Sequence, residues 1–571
     1  MAVAHPASVV RFGSFQLDLH AGELRRNGMK VRVPHQSIQV LAILLDHSGE
    51  EVTRGELQQK LWPNGTIVEF EHGINSIINR LRQVLEDAPD EPRFIETLPR
   101  RGYRFLVPVE KSALAASDRS IAVLPFTNLS AEKENDFFSD GLAEEILNAL
   151  GQVDDLRVAA RTSSFSFKGK AVEISEIGAR LRVSNVLEGS VRRDGDRVRV
   201  TVQLVDVRNG FHLWSERYDR QMQDLFYVQD EIARAIAERL KVSLSGGVYR
   251  STENPKAYEL YLKGRHYWHQ RLPSTMRLAI QCFEDAIKLD PRYALAHAGL
   301  ADCYGILAGH AWMLPKDTRP QAHAAVTQAM TLAPSQWEVN FSRAFYACSF
   351  EPAWREAEPY FQKAVDINPR SSLARAHYGL FLAADGRADE AVEQTTLACR
   401  LDPLSPFIHR FTSLALYTLT RFDEAERMAR HALELQPGYC PGLWAHGKAL
   451  CALGRNKEAI EALERAVAAL PAPLSLGLLG LAYARAGRLN ETARLLHELK
   501  DRSSRGEYVP IRALLPIYVG QGDLAAIREA LSNALAEGLP PFVFRVTSSP
   551  FLEAYCSDPE IERLFSKLYG A

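Results

Sequence analysis

Prolines stand at positions 369, 403, 437 and 471, each 34 residues from the next. Pro334 lies 35 residues before that series and Pro291 another 43. Alanines at 391, 425, 459 and 493 keep the same interval, as do the small residues Gly379, Ser413 and Gly447. A unit of this length holds two helices of three to four turns each and the turns between them. Proline after the second helix ends it, because its ring clashes with the preceding turn and it has no N–H to donate. Small residues at fixed places let the two helices of a unit touch. Such a unit cannot bury its apolar face alone, so consecutive units must stack.

This period and pattern resemble the tetratricopeptide repeat. About five well-formed repeats are expected from 336 to 500, with looser helical pairs at 255–333 and 508–536. Arg421-Phe-Asp-Glu-Ala-Glu426 and Gly454-Arg-Asn-Lys-Glu-Ala459 read as openings of second helices. The 43-residue spacing and Trp312-Met-Leu-Pro315 predict an insertion in an early repeat. The resemblance implies an all-α superhelix over 255–540 with a helical cap at 541–571. It also implies a concave groove for a protein or peptide partner. The first helices offer Arg375, His377, Tyr378 and His409, to be read either as groove residues or as packing between helices, so the groove and no single contact is the expectation.

The N-terminal hundred residues follow other rules. Val10, Phe12, Phe15, Leu17 and Leu19 alternate with polar residues, as do Val31 and Val33, and Gly13, Gly22 and Asn27-Gly28 mark turns. That predicts a small antiparallel sheet. Ile38, Leu41, Ala42 and Leu45 recur at helical spacing. Thr53-Arg-Gly-Glu56 is a capping box, opening a helix that Trp62-Pro63 should close. A third helix, about Phe70 to Glu86, has Ile74, Ile78, Leu81 and Leu85 as its apolar stripe. Asn75, Ser76, Asn79, Arg80, Arg82 and Gln83 are left outside or flanking it. Amides and guanidinium groups on one helix face suit base edges in a major groove. Ile95-Glu-Thr-Leu-Pro-Arg-Arg-Gly-Tyr-Arg-Phe105 reads as a basic β-hairpin, with Tyr103 and Phe105 in its core.

Sheet, three helices and basic hairpin together resemble the winged helix-turn-helix domain of OmpR/PhoB-type regulators, and within it the CadC/ToxR-like branch. The resemblance implies an α+β DNA-binding domain over 9–109, with the helix at 70–86 in the major groove. The wing, about 93–107, would reach the backbone or minor groove. Asn75, Ser76, Asn79, Arg80, Arg82 and Gln83 on the helix and Thr97, Arg100 and Arg101 on the wing are the expected DNA contacts. Ile77 falls where relatives often place a polar reader. Residues 1–110 carry 13 Lys/Arg against 14 Asp/Glu. DNA affinity must therefore come from where the bases sit, not from overall charge. OmpR-type regulators carry a phosphoacceptor receiver before this module. Here the module starts at about residue 9, so no such switch is expected upstream.

A linker is expected at 110–118, followed by an α/β unit over 119–243. Ile121 to Phe126 and Leu156 to Ala160 read as strands. Phe138 to Leu150, Ile174 to Leu181 and Asp230 to Val242 read as helices. Residues 186–206 read as a hairpin turning at Asp194-Gly195-Asp196. Glu188-Gly-Ser-Val-Arg-Arg-Asp-Gly195 and His212-Leu-Trp-Ser-Glu-Arg-Tyr218 resemble the TolB N-terminal-like domain, which brings no catalytic role.

The seven cysteines form no CxxC pair and are expected as reduced, mostly buried thiols. His266 and His269 share a helix face but have no carboxylate or Cys at a matching offset, so no metal is expected. No P-loop, nucleophile elbow, HExxH or metal-binding aspartate pair appears, and neither an enzyme nor a cofactor is expected. The uncharged run 466–484 contains Pro471 and Pro473, and the junction 109–119 is short and polar. No membrane span follows from either, and a cytoplasmic protein is expected. The function this predicts is a one-component, sequence-specific transcriptional regulator of bacterial type. Its partners would be double-stranded DNA, a protein at the repeats and, as a candidate, RNA polymerase. The alternative is a tetratricopeptide scaffold whose winged helix serves as a protein contact.

Overall fold

The computed structural model describes residues 9–13, 15–18, 23–26, 29–31, 33–61, 70–90, 92–99, 101–107, 109–112, 119–132, 135–153, 155–240, 242 and 252–569. The chain divides into two compact units, Met1–Asp118 and Arg119–Ala571.

The first unit opens with β1 (Val9–Phe12), β2 (Phe15–Asp18), β3 (Glu23–Arg26) and β4 (Met29–Val31). They form an antiparallel meander, and the chain returns to it at β8 (Glu110–Ser112), giving the order β4-β3-β2-β1-β8. The first three residues of the expected linker are thus an edge strand, paired with β1. Between lie α1 (His35–Asp46), β5 (Glu51–Thr53), α2 (Arg54–Leu61), α3 (Phe70–Leu85), β6 (Ile95–Leu98) and β7 (Gly102–Phe105). Strands β5, β7 and β6 make a second sheet in that order. The expected alternation holds: Val10, Phe12, Phe15 and Leu17 are buried against Leu41, Ile78, Leu81 and Phe105 in one core. The turns expected at Gly22 and Asn27-Gly28 and the stop at Trp62-Pro63 lie outside the described residues.

The second unit begins with β9 (Ser120–Val123), β10 (Thr127–Asn128), α4 (Asp136–Gly151), β11 (Arg157–Val158), α5 (Arg161–Phe165) and α6 (Ile174–Leu181). Three ten-residue strands follow, β12 (Asn185–Asp194), β13 (Arg197–Asp206) and β14 (His212–Gln221), then α7 (Leu225–Arg239). The sheet order is β11-β9-β12-β13-β14, with β10 also on β12. Parallel pairs at β9 and an antiparallel meander at β12–β14 make it a mixed α/β layer. The segment 212–218 is a full third strand. The helix expected at 230–242 starts instead at Leu225, because Val228 packs as deeply as Ile232 and Ile236.

Eight helix pairs then follow, from Pro255–Gln270 with Pro273–Leu289 to Ile511–Gln521 with Leu524–Ala536. The five pairs between Trp337 and Ser504 fall where the period places them. The insertion extends the second helix of the second pair to Pro315–Leu332. Small residues act as expected. A Cβ on Gly379 would lie 2.5 Å from Thr395 and one on Gly447 2.4 Å from Leu463. Ser413 donates its Oγ hydrogen to the Ala425 carbonyl at 2.7 Å. The register slips by one in the last of the five. Ala391, Ala425 and Ala459 are buried, but Thr492 takes the equivalent place and Ala493 is exposed. The uncharged run 466–484 is divided between Asn456–Ala469 and Pro473–Arg485. Among the described residues no helix is long and apolar enough to cross a membrane.

The groove expected inside the repeats is largely filled, and what remains open is a cleft bordered by Arg265, Trp268, Asp302, Phe341 and Phe407. First helices such as Ser372–Ala384 and Pro406–Thr418 are buried nearly all round, which for a helix means cover on every side. His377, Tyr378 and His409 are buried, and Arg375 is tied to the Pro369 carbonyl and Gln394. The chain itself supplies the cover. Arg545, on the helix Pro541–Thr547, donates to the Ala384 carbonyl at 2.6 Å, and Lys448 donates to the Thr547 carbonyl at 3.1 Å. The α/β layer also packs on the repeats. Ser163 of α5 donates to Asp402, and Arg370 donates to the Leu156 carbonyl. Glu144 of α4 accepts from Arg161 at 2.7 Å and Arg265 at 2.9 Å and lies 3.3 Å from His269. Burial alone would raise the Glu144 carboxyl, but Arg161, His269 and Arg265 outweigh it and hold it well below the usual range. His266 lies 3.5 Å from Asp140. Both histidines of the His-Tyr-Trp-His stretch therefore serve this contact.

Candidate nucleic-acid interface

Three elements set this face: the α2 capping box, the third helix and the β6–β7 hairpin. The box is formed as read, with Thr53 N–H to Glu56 at 2.8 Å and Glu56 N–H to Thr53 Oγ1 at 3.2 Å. On α3, Ile74, Ile78, Leu81 and Leu85 are all buried. That stripe fixes the helix's rotation, so residues three and four apart on the other side share one outer face. Asn75, Ser76, Asn79, Arg80 and Gln83 are exposed there, and Ile77 is half-buried. Among the described residues Arg80 makes no ion pair.

Arg82 is not on that face. It is buried, and its Nη2 donates to the Ile95 carbonyl at 2.9 Å and to Thr97 Oγ1 at 2.8 Å. The expectation that Arg82 contacts DNA is corrected: position 82 is adjacent to the Leu81 stripe and turns toward the wing. Thr97 is exposed, but its hydroxyl already accepts from Arg82. Asn75 accepts from the Tyr103 hydroxyl at 2.7 Å, so it is both exposed and tied to the wing. Arg101 is exposed but held by Glu51 at 2.6 Å, and Arg104 by Glu96 at 3.5 Å. Arg100 lies outside the described residues.

Gly102 explains the Arg-Arg-Gly-Tyr motif. A Cβ there would lie 2.1 Å from the Val52 carbonyl oxygen, so only glycine lets β7 lie against β5. Tyr103 and Phe105 are core, as expected. Two residues were not singled out from the sequence. Asp87 is buried, and its carboxylate accepts the backbone N–H of Arg93 at 2.5 Å, Phe94 at 3.2 Å and Ile95 at 2.8 Å. Arg54 lays its guanidinium over Tyr103, 5.3 Å from the ring centre. The signal for Asp87 was its place just past the helix end, where a short acidic chain can bind the next strand's amides. Arg82, Asp87 and Asn75 lock α3 to the wing, and Arg54 ties the start of α2 to it.

Residues 28–105 match the family model "Transcriptional regulatory protein, C terminal", and residues 117–235 match "HilA/YgeH-like transcriptional regulator, second domain". Residues 354–406 and 445–503 match the tetratricopeptide repeat. A relative named "Transcriptional regulator HilA" from Salmonella typhimurium is 24% identical over 425 residues, 73% of this chain and 75% of its own. One named "Putative adenylate cyclase 3" from Rhizobium meliloti is 42% identical over 187 residues, only 32% of either chain. Among solved structures, the DNA-binding domain of Escherichia coli CadC is 33% identical and matches 98% of its own length and 19% of this chain, with a TM-score of 0.17. The chain thus combines an OmpR/PhoB-type regulator domain, a HilA-like regulator domain and tetratricopeptide repeats. The family models and the HilA relative support a DNA-binding transcription regulator with added capacity for protein interaction.

Proposed function

We propose that this chain regulates transcription as a one-component, sequence-specific DNA-binding protein. In this reading α3 enters the major groove and the β6–β7 hairpin meets the backbone or minor groove. The observation that carries it is the outer face of α3, where Asn75, Ser76, Asn79, Arg80 and Gln83 stand exposed on a helix braced from behind. Amides there suit adenine edges, and a guanidinium suits guanine or phosphate. Arg101 and Arg100 would reach the flanking phosphates, Arg101 exchanging its pair with Glu51 for one with DNA.

The middle α/β unit is read as TolB-like on residues 188–195 and 212–218, which lie in β12 and β14 or the turn after β12. Its proposed limits are 119–243. A cytoplasmic location, with RNA polymerase or another protein as partner, belongs to the same reading. Since much of the inside of the repeats is covered by the C-terminal segment and the α/β layer, such a partner would meet the outer second helices.

Salt-titrated binding of the full chain to selected DNA fragments tests this. Arg80→Ala should leave folding intact. It should either flatten the salt slope by about one unit or cost roughly 1–3 kcal/mol at one base position. Unchanged binding and specificity would remove α3 from the groove.

A further inference from the structure

Inside the repeat superhelix lies a cavity of about 170 Å³. Helices from the second to the last repeat pair form its walls, and Phe542, Val543 and Val546 of the C-terminal segment close one side. Its surface is mostly apolar, with Phe345, Phe411, Leu414, Trp444 and Leu478. Four cationic side chains also line it, Arg271, Arg410, Lys448 and Arg512, and none of the described lining residues is Asp or Glu.

Cations in an apolar wall are costly without partners. Arg512 is partly compensated by the Ala308 and Gly309 carbonyls, each at 3.1 Å. Lys448 has the Thr547 carbonyl and lies 4.5 Å from the Tyr417 ring centre. Arg271 lies between Trp268, 3.8 Å away, and Phe407, 5.0 Å away. Among the described residues Arg410 has only the ring of Phe411, 4.9 Å away, and its Nε is buried with no hydrogen-bond partner. Among the described residues none of the four makes an ion pair. His310 and His377 add no charge: burial and neighbouring guanidinium groups hold both at about 3.

We infer that this cavity is a binding site for a small organic monoanion with an apolar body, an aromatic or short-chain carboxylic acid. Size, lining and charge each narrow the choice. A cavity of about 150 Å³ admits benzene, so one six-membered ring or a chain of similar bulk fits. Mostly apolar walls disfavour a heavily hydrated phosphate. Four cations without a carboxylate leave a charge that an anion would balance. Burial and the nearby Arg410 and Arg512 push the Lys448 amine down to about 7. An anion beside it would restore its proton affinity. The other groups against that amine are the Tyr417 and Phe551 rings and the Thr547 carbonyl, none of which titrates near neutrality.

The test is calorimetry on the full-length protein with benzoate and hexanoate as probes. Benzamide and hexanol serve as uncharged counterparts, sodium chloride and sulfate as inorganic anions. At least one acid is expected to bind about tenfold or more tightly than its neutral counterpart. At pH 8 its binding heat should vary with the buffer's ionisation enthalpy, showing proton uptake. Lys448→Met should abolish that uptake, and Arg410→Gln should weaken binding about tenfold; Arg421→Gln on the outer surface should change neither. Lys448→Met gives up the Thr547 hydrogen bond but puts an apolar chain of similar length into an apolar wall; it is expected to fold, so it remains informative if Arg410→Gln does not. The inference is overturned if neutral counterparts bind equally, or if chloride or sulfate alone reproduces the effect. Full binding in both cavity variants, or no binding of either acid at millimolar concentration, overturns it too.

Discussion

Arg80 and Arg82 are two residues apart on one helix and do opposite things. Arg80 stands exposed and without an ion pair among the described residues, while Arg82 is buried and holds the Ile95 carbonyl and Thr97. Removing Arg82 leaves a buried carbonyl without its donor, which costs about 2 kcal/mol. Arg82→Ala is therefore expected to lower the melting temperature of the N-terminal unit, with any loss of DNA binding following from that. If binding falls while the melting temperature is unchanged, Arg82 acts on DNA directly. A second residue carries strain openly. The turns inside successive repeats place Gly386, Gly454 and Gly487 at positive φ, and in the intervening repeat that place is Thr420 at φ 59°. A β-branched residue is costly there. Thr420→Gly should stabilise the repeats by about 1 kcal/mol in denaturant titration; equal or lower stability would show that the turn tolerates threonine.

At the scale of elements, the wing depends on close approach of β5 and β7. With the Val52 carbonyl 2.1 Å from where a Gly102 Cβ would sit, the ladder must open to admit any side chain. Gly102→Ala is expected to destabilise the N-terminal unit by about 3 kcal/mol or more, read as a shift of its unfolding transition in the full chain. A melting temperature equal to wild type would mean the sheet relaxes freely. Element boundaries followed local chemistry closely where it was strong. The third helix, read as 70–86, spans Phe70–Leu85, and the helix at 174–181 matches at both ends. The stretch 212–218 was not read as a strand, because alternation there is weak: β14 is an edge strand with most of its residues exposed. An edge strand needs only its neighbour's hydrogen bonds, which sequence does not display.

At the scale of the second unit, the C-terminal segment is part of the repeat core. Phe544, Leu552, Ile561 and Leu568 are buried, and Arg545 stacks on Tyr569 with 3.4 Å to the ring centre. Deleting 541–571 should expose the apolar first helices. The expected result is a melting temperature lower by about 5 °C or more and strong binding of a hydrophobic dye. A soluble, dye-free truncation with unchanged stability would show the segment to be only draped on the surface.

The sequence by itself determined the local order. Period 34 laid out the paired helices, alternation laid out the first sheet, and one apolar stripe set the rotation of α3. These signals are legible because they repeat at the pitch of the element that uses them. The candidate DNA face followed from the stripe, and of the six residues placed there only Arg82 turned inward. Whether a residue at the margin of a stripe points out or back depends on what packs beside it, here the wing. The fate of the repeat groove was decided by tertiary structure alone. His377 and His409 look polar and free in sequence, but the C-terminal helices and the α/β layer bury the inner repeat helices that carry them. The four cations of the cavity come from three helices and a helix-ending turn, up to 241 residues apart in the chain. No local pattern records such a meeting, because the four positions share no period and belong to separate elements. Only the closure of the superhelix brings them together around a space with no carboxylate among its described lining residues.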